Sequence, residues 1–110
     1  MAEFTKTQRR AIRELIAKAH ETETGLLLQG LEHQFVRWRA KEISSQELLD
    51  LIHGFHNKET RQLWSIYQTL REPELVARAV ALKLIPGSDL PENIHAALVP
   101  LIDFFASNQE

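Results

Sequence analysis

The chain of 110 residues is 44% hydrophobic and 25% charged, has a formal net charge of −2, and contains no cysteine. The absence of cysteine excludes disulfide bonds, thiolate nucleophiles and zinc–thiolate sites, and the small net charge provides no general attraction to nucleic acid or to an anionic membrane. No apolar run reaches the ~18 residues of a membrane span, and the N-terminus lacks the apolar core of a secretion signal. We therefore expect a cytoplasmic protein without a membrane segment.

The first part of the chain predicts two helices, because apolar residues recur with helical spacing and no segment alternates like a strand. Thr5 and Gln8 have capping-box spacing and precede a first helix that is expected to end near His20. The sequence ETETG at residues 21–25 is expected to interrupt the helical pattern. A second helix then carries four apolar residues along one seam: Leu28, Leu31, Phe35 and Trp38.

The middle of the chain predicts a third and a fourth helix. Ser44 and Glu47 offer a second capping box, after which apolar residues share one face up to Phe55. Gly54 weakens the helix at this point, and Asn57 is a suitable N-cap for the fourth helix. The sequence therefore predicts a helix end between His56 and the residue that follows it.

Proline marks the elements of the last third. Pro73 fits the first turn of a fifth helix, and the sequence IPGSDLP at residues 85–91 predicts a loop. Pro91 opens a sixth helix, which Pro100 is expected to kink because proline removes a backbone donor. The whole chain, residues 1–110, is thus predicted to be a single all-α domain, a compact bundle of five or six short helices.

Two histidines on the third helix are the main candidates for chemistry. Residues three apart on a helix are neighbours, so His53 and His56 could share one metal ion, with Asp50 as a further ligand, in a small metalloprotein or enzyme. A rise of about 9 Å between Asp50 and His56 makes a three-ligand site difficult. The simpler hypothesis is that His56 hydrogen-bonds carbonyl groups at the helix end. No cofactor is expected.

An off-core strip on the same helix favours protein binding. Leu49 lies near both histidines and away from the predicted core face, and Trp64 lies on the flank of the next helix. Exposed apolar and aromatic residues beside imidazoles are typical of protein-binding patches. We therefore predict a non-enzymatic protein-binding or self-associating module, with a homodimer as the simplest form, that uses Leu49, His53, His56 and Trp64.

A basic stripe on the first helix supports a further alternative. It comprises four residues within roughly a 100° arc: Lys6, Arg9, Arg10 and Arg13. Such a stripe could bind nucleic acid or an acidic partner, but four charges provide only a small salt-dependent attraction. The sequence therefore favours protein binding over nucleic-acid binding.

The segment EISSQELLDLIHGFHNKETRQLWSIY, residues 42–67, resembles a segment of an uncharacterised family of small helical bacterial proteins. In that family a Glu-Leu-x-x-x-Ile-His-x-Phe-His stretch precedes a short break and an aromatic-rich helix. The matching residues are Glu47, Leu48, Ile52, His53, Phe55, His56 and Trp64. RWRAKEI upstream and ELVARAVALKLI downstream extend the resemblance over residues 35–105. It implies a bacterial, cytoplasmic, helical protein and implies no activity, cofactor or partner.

Overall fold

A computed structural model describes residues 4–108, which are predominantly helical and contain no strand. Helix α1 spans Lys6–Arg39, and helix α2 comprises Ser45–Gly54, a π-helical turn at Phe55–Glu59, and Thr60–Thr69. Helix α3 spans Glu72–Ala81, a 3-10 turn lies at Gly87–Asp89, and helix α4 spans Glu92–Ser107. The all-α prediction is confirmed. The predicted number of five or six helices is wrong, because residues 4–108 form four helices when the π-helical turn is counted as part of α2.

Helix α1 continues through the segment that was expected to interrupt it. Its start is the predicted one, since the Thr5 N–H donates to Gln8 Oε1 at 2.7 Å and the Gln8 N–H donates to Thr5 Oγ1 at 3.1 Å. Helical hydrogen bonds then run past residues 21–25 because Gly25 weakens a helix by only about 1 kcal/mol. The Tyr67 hydroxyl also donates to Glu23 Oε1 at 2.9 Å, which holds this part of α1 against α2.

Helix α2 begins with the predicted capping box and does not end at the predicted residue. The Glu47 N–H donates to Ser44 Oγ at 3.0 Å, and the Ser44 N–H donates to Glu47 Oε1 at 2.9 Å. The helix passes through Gly54 and Asn57 as the π-helical turn, with helical backbone angles at Gly54. Asn57 is therefore not an N-cap, and the prediction that His56 lies at a helix end is wrong.

The capping box makes stability depend on pH. The N–H of Ser44, which donates to the carboxylate, is the largest cause that lowers the pKa of Glu47 below its ordinary value of 4.5; the Ser44 side chain and Arg37 lower it further. This contribution is present above about pH 4.5 and is lost as the pH falls through the lowered pKa. We expect Glu47→Gln, which keeps the acceptor without the charge, to lose less stability than the wild type between pH 7 and pH 3.

Urea unfolding midpoints at the two pH values measure this difference. Glu32→Gln is the matched control, because Glu32 is exposed, lies well before the end of α1 and caps no helix. An identical loss of stability on acidification in Glu47→Gln and in the wild type would contradict the assignment.

The first compact unit contains the residues before Glu23 and those from Leu70 onward, and it holds most of the buried side chains. Pro73 lies in the first turn of α3 as predicted, and α4 continues on both sides of Pro100. The kink at Pro100 stays a prediction. The core brings α1, α3 and α4 together around fully buried residues: Ile12, Val76, Ile85, Ile94 and Leu98. Each such side chain contributes roughly 1.5–3 kcal/mol through burial.

The second compact unit, Glu23–Thr69, is a helical hairpin. The last part of α1 runs antiparallel to α2, since Glu23 contacts Tyr67 at one end and the Trp38 indole N–H donates to Ser45 Oγ at 3.0 Å at the other. Its described residues bury only three large apolar side chains: Ile43, Leu48 and Leu63. The prediction of a single domain stays a prediction beside this division into two units.

Candidate protein-binding surface

Exposed apolar side chains are concentrated in the helical hairpin. Among residues 4–108, seven of the nine exposed large hydrophobic side chains lie within Glu23–Thr69: Leu26, Leu28, Val36, Trp38, Leu49, Leu51 and Trp64. The other two, Val99 and Phe104, lie on α4. The seam predicted on a second helix lies on the last part of α1 and is only partly buried, because Leu28 and Trp38 at its two ends are exposed. Exposed apolar side chains concentrated in one part of a protein make that part a candidate for an interaction site.

The four residues predicted as a protein-binding patch all lie on the outer side of α2, and we call them the α2 strip: Leu49, His53, His56 and Trp64. Each is exposed, Leu49 by 58% and Trp64 by 64%. Leu49 and His56 are seven residues apart, so they point in nearly the same direction, and His53 lies about 60° to one side. The structure thus places all four on a single helix that the sequence divided between two.

The π-helical turn aligns Trp64 with this strip. Eight residues separate His56 from Trp64, which in a regular α-helix would rotate the indole about 80° away. The turn at Phe55–Glu59 accommodates one extra residue, so Trp64 returns to the direction of His56. His56 and Trp64 accordingly line one shallow depression of about 370 Å³, together with Asn57, Thr60 and Arg61.

The same turn keeps the buried face of α2 in register. Leu48 and Phe55 are seven residues apart, whereas Phe55 and Leu63 are eight apart, and all three face inward to some degree. Without the extra residue in the turn, Leu63 would rotate away from the face that contains Leu48. This change from a spacing of seven to one of eight is the sequence signal that could have revealed the π turn.

The Thr60 side chain supports the turn. The backbone N–H of Thr60 donates to the Phe55 carbonyl. The Thr60 hydroxyl donates to the His56 carbonyl at 2.7 Å and to the Phe55 carbonyl at 3.3 Å. The hydroxyl therefore gives a hydrogen-bond donor to the His56 carbonyl, which the wider turn removes from the regular pattern of α-helical hydrogen bonds. Sequence reasoning missed this residue, because a threonine inside an apolar helical pattern has no distinctive spacing.

Thr60→Val is expected to reduce the free energy of unfolding by about 1 kcal/mol, because it removes the hydroxyl without changing the shape of the side chain. Urea unfolding followed by circular dichroism measures the change. Thr69→Val is the control, since within residues 4–108 the Thr69 hydroxyl makes no hydrogen bond. Equal effects of the two substitutions would show that the hydroxyl of Thr60 does not stabilise the turn.

The candidate metal ligands do not form a three-residue group. The structure contains, within residues 4–108, no set of three or more His, Asp or Glu side chains that could hold a metal ion. Asp50 instead accepts a hydrogen bond from Gln46 Nε2 at 3.0 Å. A metal site that uses His53 and His56 stays a prediction, and Asp50 does not join them as a third ligand.

The basic stripe is present as predicted on the surface of α1. Lys6, Arg9, Arg10 and Arg13 are all exposed. The Arg10 Nε lies 3.8 Å from Glu14 Oε1, so part of the positive charge is balanced by an acid one helical turn away. Nucleic-acid binding by this face stays a prediction.

A groove between the two helices of the hairpin is a surface that sequence reasoning missed. It measures about 230 Å³, and Leu26 and Leu27 of α1 and Leu51 and Phe55 of α2 are among the residues that line it. Finding it requires knowledge of how the two helices pair, which the spacing within each helix does not contain. The hairpin therefore presents apolar residues at this groove as well as at the α2 strip.

The chain matches no protein-family model, no curated protein and no solved structure with which it was compared. The resemblance of residues 42–67 to a bacterial family therefore stays a prediction. None of the helices within residues 4–108 combines the length and hydrophobicity needed to cross a membrane.

Proposed function

We propose that this chain is a cytoplasmic, non-enzymatic protein-binding module and that the α2 strip contacts the partner. The observation that carries the proposal is the exposure of Trp64 and Leu49 on one line of α2, on either side of His56. Tryptophan is enriched at the energetically important centres of protein interfaces. Covering the exposed part of this indole would contribute on the order of 3 kcal/mol to binding.

The packing of the hairpin supports the same proposal. Helices in water depend on burial of their apolar faces, and this hairpin buries few large apolar side chains of its own. A partner that covers the α2 strip would supply part of the missing burial. The hairpin therefore gains stability from association as well as affording a surface for it.

The environment of the two imidazoles favours binding over catalysis. A catalytic histidine is usually oriented by a hydrogen bond to a second group. Neither the His53 nor the His56 imidazole makes a hydrogen bond to another of residues 4–108, and both are exposed. In a protein-binding surface the two imidazoles would serve as polar contacts beside the apolar anchors.

Site-specific photocrosslinking tests the proposal. A photoreactive phenylalanine analogue replaces Trp64 in the full chain, in the cells that produce the protein, and the matched control carries it at Thr69. Thr69 is also exposed on α2 but points about 140° away from the strip. We expect a discrete crosslinked species from position 64 that is absent from position 69 and is lost when Leu49→Ser is added.

The crosslinking result decides between the alternatives. Crosslinks of equal strength from both positions, or none from position 64, would overturn the assignment of the α2 strip as the binding surface. Retention of the species in Leu49→Ser would also overturn it, because the strip would then not act as one surface.

A further inference from the structure

The two apolar anchors of the α2 strip lie on opposite sides of the π-helical turn. Leu49 and Trp64 are equally far, in residues, from the point between His56 and Asn57. That point is also close to the middle of α2, which covers residues 45–69. The π-helical turn aligns both anchors with His56. A 180° rotation about a twofold axis at this point therefore exchanges the position of Leu49 with that of Trp64.

We infer that the partner of the α2 strip is a second copy of this chain, packed antiparallel along α2 around a twofold axis at His56 and Asn57. The inference rests on the proposed function, since it identifies the occupant of that same surface. In an isologous contact each pair of residues occurs twice. Leu49 of each copy therefore packs on Trp64 of the other, and the His56 imidazole lies beside the Asn57 amide of the other copy.

The length of the helix fits this arrangement. The twofold axis lies near the centre of α2, so two antiparallel copies overlap along nearly the whole helix, over about 36 Å. A contact that was centred elsewhere would leave one end of each α2 unpaired. The four apolar anchors, two from each copy, then lie about 11 Å on either side of the axis.

Charged residues beside the strip are complementary in the same arrangement. Asp50 and Arg61 both lie on the His53 side of the strip, one on each side of the axis along α2, so the twofold operation brings each toward the other. Gln46 hydrogen-bonds Asp50 Oδ1, which leaves Oδ2 for the guanidinium group. Two such pairs form in the dimer, and a twofold contact places the two Arg61 side chains far from each other. A helix from a different protein would need its own basic and acidic residues at the positions that face Asp50 and Arg61.

Disulfide trapping tests the register, and the chain has no native cysteine to interfere. Leu49→Cys and Trp64→Cys chains are prepared separately, mixed in equal amounts and oxidised gently; each chain is also oxidised alone. In the proposed dimer the two cysteines of the mixture face each other, whereas two copies of either cysteine alone are about 22 Å apart. A disulfide requires Cα atoms within about 7 Å. We therefore expect covalent dimer from the mixture and only background from each chain alone.

Sedimentation of the chains without introduced cysteine provides the second measurement. We expect a wild-type dimer, and a dissociation constant that rises by roughly 30-fold or more for Trp64→Ala, with the helical signal of circular dichroism retained. Covalent dimer from Leu49→Cys alone would indicate parallel packing and overturn the inference, as would equal yields in all three samples or a wild-type monomer at all concentrations. A monomer that still gives a discrete crosslink from position 64 in cells would overturn only the second copy as partner and leave the proposed binding surface intact.

Discussion

Deletion of Lys58 is expected to preserve the fold, whereas deletion of Gln29 is expected to reduce the free energy of unfolding by about 3 kcal/mol or more. Both residues are exposed and each deletion removes one residue from a helix. The difference arises because Lys58 lies in the π-helical turn, which contains one residue more than a regular turn. Its removal converts α2 into a continuous α-helix in which Leu48, Phe55 and Leu63 still face the same way.

Gln29 lies in regular α-helix, so its removal rotates the following residues of α1 by about 100° relative to those before it. Leu31 and Trp38 then turn away from α2, and the hydrogen bond from the indole to Ser45 is lost. Burial of one such apolar side chain is worth roughly 1.5–3 kcal/mol, which sets the size of the expected loss. For Lys58 we expect a change within about 1 kcal/mol, since only the hydrogen bonds of the turn rearrange.

Urea unfolding of the two deletion variants, followed by circular dichroism, measures both effects. The helical signal before unfolding should match the wild type in the Lys58 deletion. Comparable losses of stability in the two variants would contradict the conclusion that the π-helical turn holds one extra residue and thereby keeps α2 in register.

Local hydrogen bonding explains which parts of the fold could be predicted from the sequence. The capping box at Ser44 and Glu47 was predicted correctly, because the two side chains and the backbone groups that they bind lie within four residues. The sequence did not predict that α1 continues past Gly25 or that α2 continues past Gly54. A glycine weakens a helix by only about 1 kcal/mol, and contacts distant in sequence, such as the one between Glu23 and Tyr67, decide whether the helix continues.

The candidate site shows the same limit. Leu49, His53 and His56 could be placed relative to one another because they lie on one predicted helix. Trp64 could not, since a predicted helix end at His56 leaves the direction of the next helix undefined. The extended spacing between Phe55 and Leu63 was present in the sequence. Its meaning depends on the knowledge that both residues face the same neighbour, α1, which only the paired hairpin provides.

Ile94→Ala is expected to lower the free energy of unfolding by about 3–4 kcal/mol, whereas Trp64→Ser is expected to lower it by no more than about 1 kcal/mol. Ile94 is 0% exposed in the core that α1, α3 and α4 share, so truncation leaves a cavity there. Trp64 is the larger side chain, yet 64% of it is exposed, and its loss removes few contacts within the chain. Urea unfolding at the lowest practicable protein concentration compares the two, because association stabilises the folded state least there.

The order of these two effects separates a binding residue from a core residue. A large apolar side chain that contributes little to folding can still contribute its burial energy when a partner covers it. If Trp64→Ser destabilised the dilute chain as much as Ile94→Ala, the indole would belong to the core and the α2 strip would lose its main anchor. If instead the destabilisation by Trp64→Ser grew with protein concentration while that by Ile94→Ala did not, the indole would contribute its energy to association, as the proposed function requires.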